Sequence, residues 1–477
     1  MNRTQLFWLR NDLRIHDNHA LWHARQQGRV VAVCVLTPIS WQKHNDAPVK
    51  IDFWMRNLKE LHVRLADLGI PLKIRMCKLF ADAPQALLDV AGEIGAETIF
   101  FNDEYGIHEQ QRDDAVVACF ADAGLTYRRF TDQILFEPGS LLTQNGTMYK
   151  VYSQFRKLAS KRLHDYLPAC LPAPSAQKIH DDLKSDPLPD ALPEFESASH
   201  EQQALWPAGE KAAAARLTLF AEETLFDYKD TRDRPAVDGT SRLSAYLVCG
   251  VISPRQCLHA ALAVNQGEFD SGNPGAVTWI NELLWREFYK HILVCYPRVS
   301  RHRAFRPETE GVPWRDDPKA LEAWQQGQTG IPIVDAAMRQ LLSTGWMHNR
   351  LRMISAMFLT KNLLIDWREG ERWFMHHLID GDLAANNGGW QWSASTGTDS
   401  APYFRVFNPA TQSSRFDPEG EFIRTWVPEL RNLDARHIHQ PPAGDLFSAI
   451  DYPRPIVDLK ETRKRAIDVF KTLGAQT

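Results

Sequence analysis

The 477-residue sequence contains no apolar run long enough to cross a membrane. Its longest run, Val30–Leu36, falls far short of the roughly 20 residues that a spanning helix needs. The first residues, Met1–Asp12, do not have the shape of a signal peptide. Neither a membrane protein nor a secreted protein is therefore expected, and we predict a cytoplasmic location.

The sequence also lacks the patterns that mark disulfide-rich and zinc proteins. It has 7 cysteines, an odd number, and none of them forms a C-x-x-C pair. His348 has no second histidine or cysteine at ligand spacing, so no metal site is predicted. The net charge is only −4. Binding to nucleic acid would therefore need a local basic patch, because no excess of positive charge marks the whole chain.

Glycine is missing from the first turn after the first predicted strand, Arg10–Arg14. The pyrophosphate of a dinucleotide needs glycine there to approach the backbone in the usual Rossmann manner. NAD bound by that route is thus excluded, although this part of the chain could still hold another ligand.

The first third of the sequence alternates short apolar segments with helical patterns. The clearest helix is Val49–Gly69, because its large apolar residues recur at spacings of three and four. Alternation of this kind predicts a parallel α/β sheet with helices on both faces. The predicted strands are Leu6–Leu9, Val30–Leu36, Leu72–Arg75, Thr98–Phe101 and Tyr127–Phe130.

A dense group of prolines lies between Pro168 and Pro207, which is typical of a linker rather than of packed structure. Beyond it the strand signals stop. We therefore predict an α/β domain over residues 1–132, a linker over 133–207 and an all-helical domain over 208–477. The predicted helices of the last part are Ala213–Glu223, Arg242–Val248, Pro254–Ala263, Ala276–Tyr296, Ile333–Ser343, Met347–Leu364 and Glu369–Leu378.

Two of these helices combine aromatic or thioether side chains with polar ones. Glu282 and Trp285 are about 60° apart around the helix axis and share one face. Glu282 either pairs with Arg286, one turn later, or contacts a ligand, and both alternatives remain open. Asn349 and Met353, four residues apart, also line one face. Such a face suits a pocket for a flat, partly polar ring, although a helix interface with a satisfied asparagine is the commoner structure.

Two further segments have the composition of ligand-binding loops. Asp380–Tyr403 is long and rich in Gly, Ser and Asn, so we expect it to be irregular. Its tryptophans, Trp390 and Trp392, argue against disorder and favour a ligand pocket. Thr240–Ser244 brings hydroxyl groups and Arg242 to the start of a predicted helix. That arrangement can bind an anion, with a plain N-cap as the alternative.

These signals coincide in one known family. The chain resembles the photolyase/cryptochrome flavoproteins, and among them the class I cyclobutane pyrimidine dimer DNA photolyases of bacteria. The resemblance covers nearly the whole chain and includes the stretches DWREGER, IDGDLAANNGGWQWSASTGTD and PYFRVFNP. It is strongest over Thr240–Ser244, Trp279–Tyr289, Gly330–Met353 and Asp366–Pro409. Stretches of this length are far more specific than a motif of three residues.

The resemblance implies an FAD in the helical domain, where the flavin supplies the electron chemistry and the protein supplies position and electrostatics. The residues implied at the diphosphate side are Tyr228, Thr240, Ser241, Arg242, Leu243 and Ser244. Those implied around the rest of the cofactor are Trp279, Glu282, Arg286, Asn349, Arg352, Asp380, Asp382 and Asn386. Asn386 would face the flavin ring nitrogen that takes up a proton, where an amide tolerates more than one charge state of the ring.

The resemblance also implies a reaction, the light-driven repair of UV-damaged DNA. Excited, fully reduced FAD gives an electron to a cyclobutane dimer flipped out of the duplex, the ring splits, and the electron returns; photolyases are a known example of base flipping. The catalytic and lesion-contacting residues implied are Glu282, Trp285, Asn349, Met353, Asn386 and Trp392. Electron transfer to oxidised flavin would use Trp314, Trp367 and Trp390. Contacts to DNA phosphates are expected from Lys161, Arg232, Arg350 and Arg405.

The N-terminal domain matches family members that carry an antenna chromophore, usually methenyltetrahydrofolate. His44 and Glu109 occupy matching positions. The sequence departs from the pattern at His108, which replaces an amide, and at Ser300-Arg301, which replace a Cys-Lys pair. Folate is the expected antenna, and loose binding or a deazaflavin are the alternatives.

Three other functions compete with repair. A cryptochrome would sense light without repairing DNA, and such proteins commonly lose the lesion-contacting set or add a long C-terminal tail. A six-four photolyase would have histidines where this chain has Asn349 and Met353. An FAD oxidoreductase would need a hydride donor site, for which the sequence has no NAD fingerprint. Repair by a monomer without an obligate protein partner is the expectation.

Overall fold

The computed structural model describes residues 3–179, 183–441 and 451–474. Five parallel strands form one sheet in the order β3-β2-β1-β4-β5. They are β1 (Thr4–Leu9), β2 (Arg29–Leu36), β3 (Leu72–Met76), β4 (Ala96–Asn102) and β5 (Thr126–Phe130). The five predicted strands are confirmed, each longer by one to three residues. Because β2 and β3 extend the sheet on one side of β1 while β4 and β5 extend it on the other, the strand order reverses between β1 and β4.

Helices cover the sheet and follow it in the chain. One face of the sheet packs through Leu6 and Trp8 against Leu87 of α4 and Phe120 of α5, all buried. The helices up to residue 226 are α1 (His19–Gln27), α2 (Pro38–Lys43), α3 (Pro48–Asp67), α4 (Ala83–Ile94), α5 (Ile107–Asp122), α6 (Tyr152–Asp165), α7 (His200–Leu205) and α8 (Glu210–Leu219). The predicted α/β class is confirmed.

The rest of the described chain is helical. Its helices are α9 (Tyr228–Thr231), α10 (Ser244–Val248), α11 (Pro254–Val264), α12 (Pro274–Cys295), α13 (Pro318–Gln325), α14 (Pro332–Thr344), α15 (Asn349–Met357), α16 (Trp367–His377), α17 (Leu383–Ala394), α18 (Pro409–Phe416), α19 (Glu421–Trp426) and α20 (Leu459–Gly474). Within residues 3–179, 183–441 and 451–474, no helix is both long enough and apolar enough to cross a membrane.

The chain divides into two compact units that do not follow the sequence order. The first contains Met1–Phe226 and Ser241–Ser300, and the second contains Asp227–Thr240 and Arg301–Thr477. Helices α10 to α12 therefore group with the sheet, although the sequence pattern assigns them to the helical domain. Periodicity detects a helix but not its tertiary partners, and this accounts for the difference.

The proline-rich stretch is irregular, as predicted, but it is packed rather than loose. Gln177 Nε2 donates to the carbonyl oxygens of Val30 and Gly69, at 2.8 and 2.9 Å. Asp186 N donates to Leu72 O at 2.8 Å, and the Asp186 carboxylate accepts from Arg75 at 2.8 Å. The prediction of an unpacked linker is thus wrong for this stretch, because it hydrogen-bonds to the sheet edge at β3.

Two further predictions also need correction, one of an irregular segment and one of a helix. The segment Asp380–Tyr403 was expected to be irregular, but it contains α17, whose N-cap Asp382 accepts from Ala385 N at 3.1 Å. Its two glycines lower helix propensity by about 1 kcal/mol each, so tertiary packing overrides the local preference. The helix predicted over Met347–Leu364 is confirmed in part: α15 is followed by a π-helical turn, Phe358–Leu363.

Candidate functional site

Helix α12 carries the predicted pair Glu282 and Trp285. The Trp285 indole stacks on Tyr152 of α6, with ring centroids 3.6 Å apart and planes at 11°. Tyr152 is held in place because its hydroxyl donates to Asn281 O at 2.7 Å. Tyr289 of α12 also packs against the indole, with ring centroids 5.7 Å apart and planes at 28°. Trp285 nevertheless remains half-buried. A half-buried aromatic ring with one supported face is suited to stacking on a further planar group.

The first unit also holds Trp279, Arg286 and Ser241–Ser244. Trp279 is buried and packs against Phe220 with ring centroids 4.9 Å apart. Arg286 Nη1 donates to Gln133 O at 2.5 Å. These contacts fix both side chains on α12 within the unit.

The segment Thr240–Ser244 is a turn rather than the first turn of a long helix. Arg242 has φ = 50°, a left-handed conformation, and α10 begins only at Ser244. Arg216 Nε donates to Ser241 O at 2.9 Å, which holds the turn against α8. The predicted start of the helix at Arg242 is therefore wrong by two residues, because a left-handed residue cannot continue a right-handed helix.

In the second unit, α15 begins with the predicted ligand residues. His348 is its N-cap, and His348 Nδ1 accepts from Arg350 N at 3.1 Å. Burial lowers the pKa of His348 to about 4, so the ring is neutral at pH 7 and can act as this acceptor. Asn349 is exposed, and Met353 is half-buried one turn later on the same side. Arg350 Nη1 lies 3.7 Å from Met353 Sδ.

Two acidic residues of the second unit, Asp380 and Glu371, accept hydrogen bonds from side chains on α15 and α17. Arg352 Nη2 donates to both oxygens of Asp380, at 3.0 and 2.8 Å. Asn386 Nδ2 donates to Glu371 O at 2.9 Å. The amide nitrogen of Asn386 is therefore committed to the protein, while its oxygen remains available as an acceptor. The structure thus brings Arg352 and Asp380 together, as a cofactor pair would require.

The three tryptophans predicted for electron transfer share one core in the second unit. Trp367 and Trp390 are buried in it, whereas Trp314 is partly buried at its edge. Helices α16 and α17 approach closely at Gly370, where an added Cβ would lie 2.0 Å from the Trp390 ring. The predicted set therefore has two buried members and one at the edge of the core.

Two of the predicted DNA contacts share one carboxylate. Arg350 Nη2 lies 2.8 Å from Asp233 Oδ2, and Arg232 Nε lies 3.9 Å from Asp233 Oδ1. The Arg232 guanidinium also lies over the Tyr228 ring, 5.5 Å from its centroid. The structure therefore brings Arg232 and Arg350 together beside Tyr228 in the second unit.

The other two predicted DNA contacts are single exposed side chains. Arg405 follows two exposed aromatic residues, Tyr403 and Phe404, whose ring centroids are 5.6 Å apart. Lys161 is exposed on α6, in the first unit. In the described part of the chain, no three His, Cys, Asp or Glu side chains are grouped so that they could hold a metal ion.

His44 and Glu109 form the predicted pair on the α/β domain. His44 Nδ1 lies 3.4 Å from Glu109 Oε1, and the His44 ring stacks on His108 with centroids 5.3 Å apart. Burial by itself would lower the pKa of His44, but the hydrogen bond and the negative charge of Glu109 raise it. Burial would likewise raise the pKa of Glu109, and His44 lowers it. Ser300 Oγ accepts from Ile107 N at 2.9 Å, so the serine that replaces a family cysteine binds the start of α5.

Sequence reasoning missed residues that support the predicted ones. Tyr152 supports Trp285 across many residues of chain, and no local pattern connects the two. Glu371 and Gly370 both lie within the DWREGER stretch, so the resemblance marked the segment without giving their roles. Asp233 lies beside Arg232 in sequence, and this adjacent opposite charge was the one signal available for the shared ion pair.

The donor set fits FAD. Hydroxyl groups and Arg242 at the turn Thr240–Ser244 suit a diphosphate. The Arg352–Asp380 pair and the free oxygen of Asn386 suit the hydrogen-bonding edges of a nucleotide and an isoalloxazine ring. The residues present are thus those that a flavin dinucleotide needs.

The chain thus has a five-stranded parallel sheet domain, followed by helices that carry side chains suited to a flavin. These two features define a class of protein, the two-part flavoproteins. Comparison with known proteins agrees: residues 5–175 match the family model described as DNA photolyase, and residues 279–472 match the FAD binding domain of DNA photolyase. The chain belongs to the DNA photolyase family.

Individual relatives support the same assignment over the full length. The chain is 46% identical over 472 residues to the deoxyribodipyrimidine photo-lyase of Escherichia coli K12, covering 98% of each sequence. Among solved structures, a class III photolyase from Agrobacterium tumefaciens has a TM-score of 0.86 at 34% identity, with 100% of this chain and 98% of that chain covered. A cryptochrome from Synechocystis has a TM-score of 0.86 at 30% identity, with 98% and 99% covered. The fold is therefore shared by repair proteins and a cryptochrome, and the site must distinguish them.

Proposed function

We propose that this protein is a light-dependent DNA repair enzyme that splits cyclobutane pyrimidine dimers. The observation that carries the proposal is the half-buried Trp285, supported on one face by Tyr152 at 3.6 Å and placed one turn from Glu282. Base stacking on such a ring contributes about 1–3 kcal/mol to binding. The full-length relation to a deoxyribodipyrimidine photo-lyase supports the same reaction.

FAD is the cofactor, in agreement with the matched FAD-binding domain over residues 279–472. When bound in its fully reduced form and excited by light, it supplies the electron that opens the cyclobutane ring. Around it, the hydroxyls of Thr240–Ser244 and Arg242 hold the diphosphate, and Arg352 orients Asp380 through two hydrogen bonds. Asn386 presents its oxygen to the flavin ring nitrogen, because its amide nitrogen is held by Glu371 O.

The lesion is bound by the residues that the family resemblance implies. Trp285 and Trp392 stack on the flipped dimer, Asn349 hydrogen-bonds a base edge and Met353 forms an apolar wall. Glu282 acts on the dimer where charge develops on a carbonyl oxygen, so its hydrogen bond stabilises the transition state more than the ground state. DNA phosphates are bound by Lys161, Arg232, Arg350 and Arg405.

The α/β domain binds a light-harvesting antenna at His44 and Glu109, and a folate of the methenyltetrahydrofolate type fits best. The ion pair lies at the start of α5, beside the His44–His108 ring stack. A deazaflavin is the alternative. The absorption spectrum distinguishes them, since a near-ultraviolet folate band should disappear in His44→Ala while repair under saturating light persists.

The protein acts as a monomer on UV-damaged DNA in the bacterial cytoplasm, bound to the nucleoid when damage is present. The proposal includes no obligate protein partner. Size-exclusion chromatography with light scattering, with and without damaged DNA, tests this assignment.

The deciding experiment measures affinity and repair with dimer-containing and intact DNA at one salt concentration. Trp285→Ala should weaken binding of dimer-containing DNA by roughly tenfold or more and leave intact DNA almost unchanged. Glu282→Ala should lower repair per absorbed photon more than it lowers affinity. Tyr127→Ala, which removes an exposed aromatic from β5, is the matched control and should change neither. A wild-type protein that contains FAD but does not prefer damaged DNA would instead be a cryptochrome.

A further inference from the structure

Lys361 is a lysine with no solvent exposure, in the π-helical turn Phe358–Leu363 that follows α15. Its Nζ donates to Ser395 Oγ at 2.8 Å and to Ala394 O at 3.2 Å, at the C-terminal end of α17. These acceptors are uncharged. A buried ammonium without a carboxylate is costly, so such groups are most often functional.

The ammonium is also in contact with the aromatic edge of the tryptophan core. Lys361 Nζ lies 3.5 Å from the centroid of the Phe470 ring, on α20. Trp314 packs edge-to-face against the same Phe470 ring, with ring centroids 6.2 Å apart. Lys361 is thus one aromatic ring away from the outermost tryptophan of the proposed chain.

Several charged side chains on the elements packed around this turn have partners other than Lys361, and Lys319 and Glu322 of α13 are exposed. Arg315 donates to Leu363 O and to Asp317, and Arg465 of α20 donates to Asn362 O. At the start of α16, Arg368 pairs with Asp366 and Glu310. On α15, Arg350 and Arg352 pair with Asp233 and Asp380. Helix α17 contains no titratable side chain in Leu383–Ala394.

We propose that Lys361 is a positioning charge for the tryptophan chain, whose protonation controls how readily Trp314 is oxidised. This inference rests on the proposed role of Trp314 in supplying electrons to FAD. In that role, Trp390 would give one electron to light-excited, oxidised FAD. Trp367 would then refill Trp390, and Trp314 would refill Trp367. Trp314 is left as a cation radical, and an added thiol reductant returns its electron.

The charge on Lys361 opposes the last of these steps. The contacts through Phe470, at 3.5 and 6.2 Å, keep Lys361 Nζ within about 10 Å of the Trp314 ring. A positive charge at roughly that limit, at an effective dielectric constant of about 20, disfavours the Trp314 radical by roughly tenfold or more. Burial lowers the pKa of Lys361 to about 7, so the lysine changes charge in the physiological range. Photoreduction should therefore become more efficient as the pH rises through 7.

The test follows flavin photoreduction in the FAD-containing protein between pH 6 and 9, in the presence of a thiol. We expect the wild-type yield to rise roughly tenfold with pH. Lys361→Met should be efficient at every pH, and Lys361→Arg should be inefficient at every pH, because arginine stays charged. Lys464→Met, which removes an exposed charge from the same helix as Phe470, is the control and should keep the wild-type profile.

A second measurement does not depend on photochemistry. Because the folded protein binds this proton more weakly than the unfolded chain, stability against urea should rise from pH 7 to pH 10, and Lys361→Met should remove that rise. A wild-type pH profile retained in Lys361→Met would overturn the proposal even if Trp314→Phe abolishes photoreduction. Photoreduction unchanged in Trp314→Phe would instead overturn the tryptophan chain itself, and the role of Lys361 with it.

Discussion

Two polar regions of this protein are built from similar residues and used differently. At the carboxyl ends of β1 and β4, where doubly wound folds usually bind nucleotides, the crevice is filled by the protein's own ions. Arg10 Nη1 contacts Asp113 at 2.6 Å and Arg112 Nη2 contacts Glu104 at 2.6 Å, with every partner less than a tenth exposed. Burial would raise the pKa of Glu104, but the charges of Arg112 and Arg10 lower it to about 2.

The helical unit leaves its polar groups partly unsatisfied. The side chain of Arg352, paired with Asp380, is a quarter exposed, Asn349 is exposed, and Asn386 commits only its nitrogen. The difference is one of access: the buried ion pairs of the crevice are shut off from a ligand, whereas partly exposed groups with spare hydrogen-bonding capacity can bind one. In this chain the sheet crevice is closed to a nucleotide, and the match to an FAD binding domain covers the helical residues 279–472.

The sharpest way to break the closed crevice is Asp113→Ala. Asp113 accepts from both Arg10 and Arg112, so its loss leaves the buried Arg10 guanidinium without its carboxylate partner, while Arg112 keeps Glu104. We expect the free energy of unfolding to fall by about 3–5 kcal/mol, measured by urea denaturation. Asp114→Ala, at the exposed neighbouring position, should change it by less than about 0.5 kcal/mol. Equal effects of the two variants would contradict a closed, stabilising network.

In the helical unit, Gly370→Ala should be a damaging small change. The new methyl group would lie 2.0 Å from the Trp390 ring, so α16 and α17 must move apart. Overpacking of this kind costs about 1–3 kcal/mol. Gly389→Ala is the matched control: nothing lies within 4 Å of its added Cβ, and stability should rise by up to about 1 kcal/mol. Thermal unfolding of both variants tests whether close helix approach sets the position of Trp390.

Tyr152 offers a third pair of variants, which tests how much its ring supports Trp285, a predicted lesion-contacting residue. Tyr152→Leu removes the ring that supports Trp285, and aromatic pairs contribute about 0.5–1.5 kcal/mol beyond burial. Affinity for dimer-containing DNA should fall by up to roughly tenfold, with intact DNA little changed. Tyr152→Phe keeps the ring and loses only the bond to Asn281 O, so it should retain most of the affinity. If phenylalanine failed to restore binding, the hydroxyl rather than the stacking would be the important feature.

The smallest expected effect concerns the partly exposed pair of the α/β domain, His44 and Glu109. The raised pKa of His44 means that its stabilising contribution is complete below pH 6.5 and is lost as the pH rises through the folded-state pKa. The lowered pKa of Glu109 means that its contribution is present above pH 4.5 and is lost on acidification. His44→Ala should remove the decline in stability on the alkaline side of pH 6.5. An unchanged urea midpoint across that range would show that the pair adds nothing to folding.

Much of the fold could be predicted because it depends on local patterns. The strands are continuous apolar runs and the long helices are regular apolar stripes, so their positions followed from periodicity. Helix spacing and composition singled out some site residues, such as Glu282, Trp285 and Asn349. The others came only from the family resemblance, since nothing near Trp314 or His44 in sequence indicates its use. The errors arose where long-range packing overrode local preference: the glycine-rich helix α17, the bound proline-rich stretch, and the assignment of α10 to α12 to the sheet unit.

By itself the sequence determined which elements form, because hydrophobic periodicity and capping residues act over a few neighbours. It also determined which side chains are available for flavin, lesion and DNA. Only the tertiary structure decided that Tyr152 lies against Trp285, that Asp233 joins Arg232 to Arg350, and that Lys361 is buried beside Phe470. These contacts join residues far apart in the chain or depend on which face of an element is covered. They form only when the whole core excludes water, and no short stretch of sequence encodes that condition.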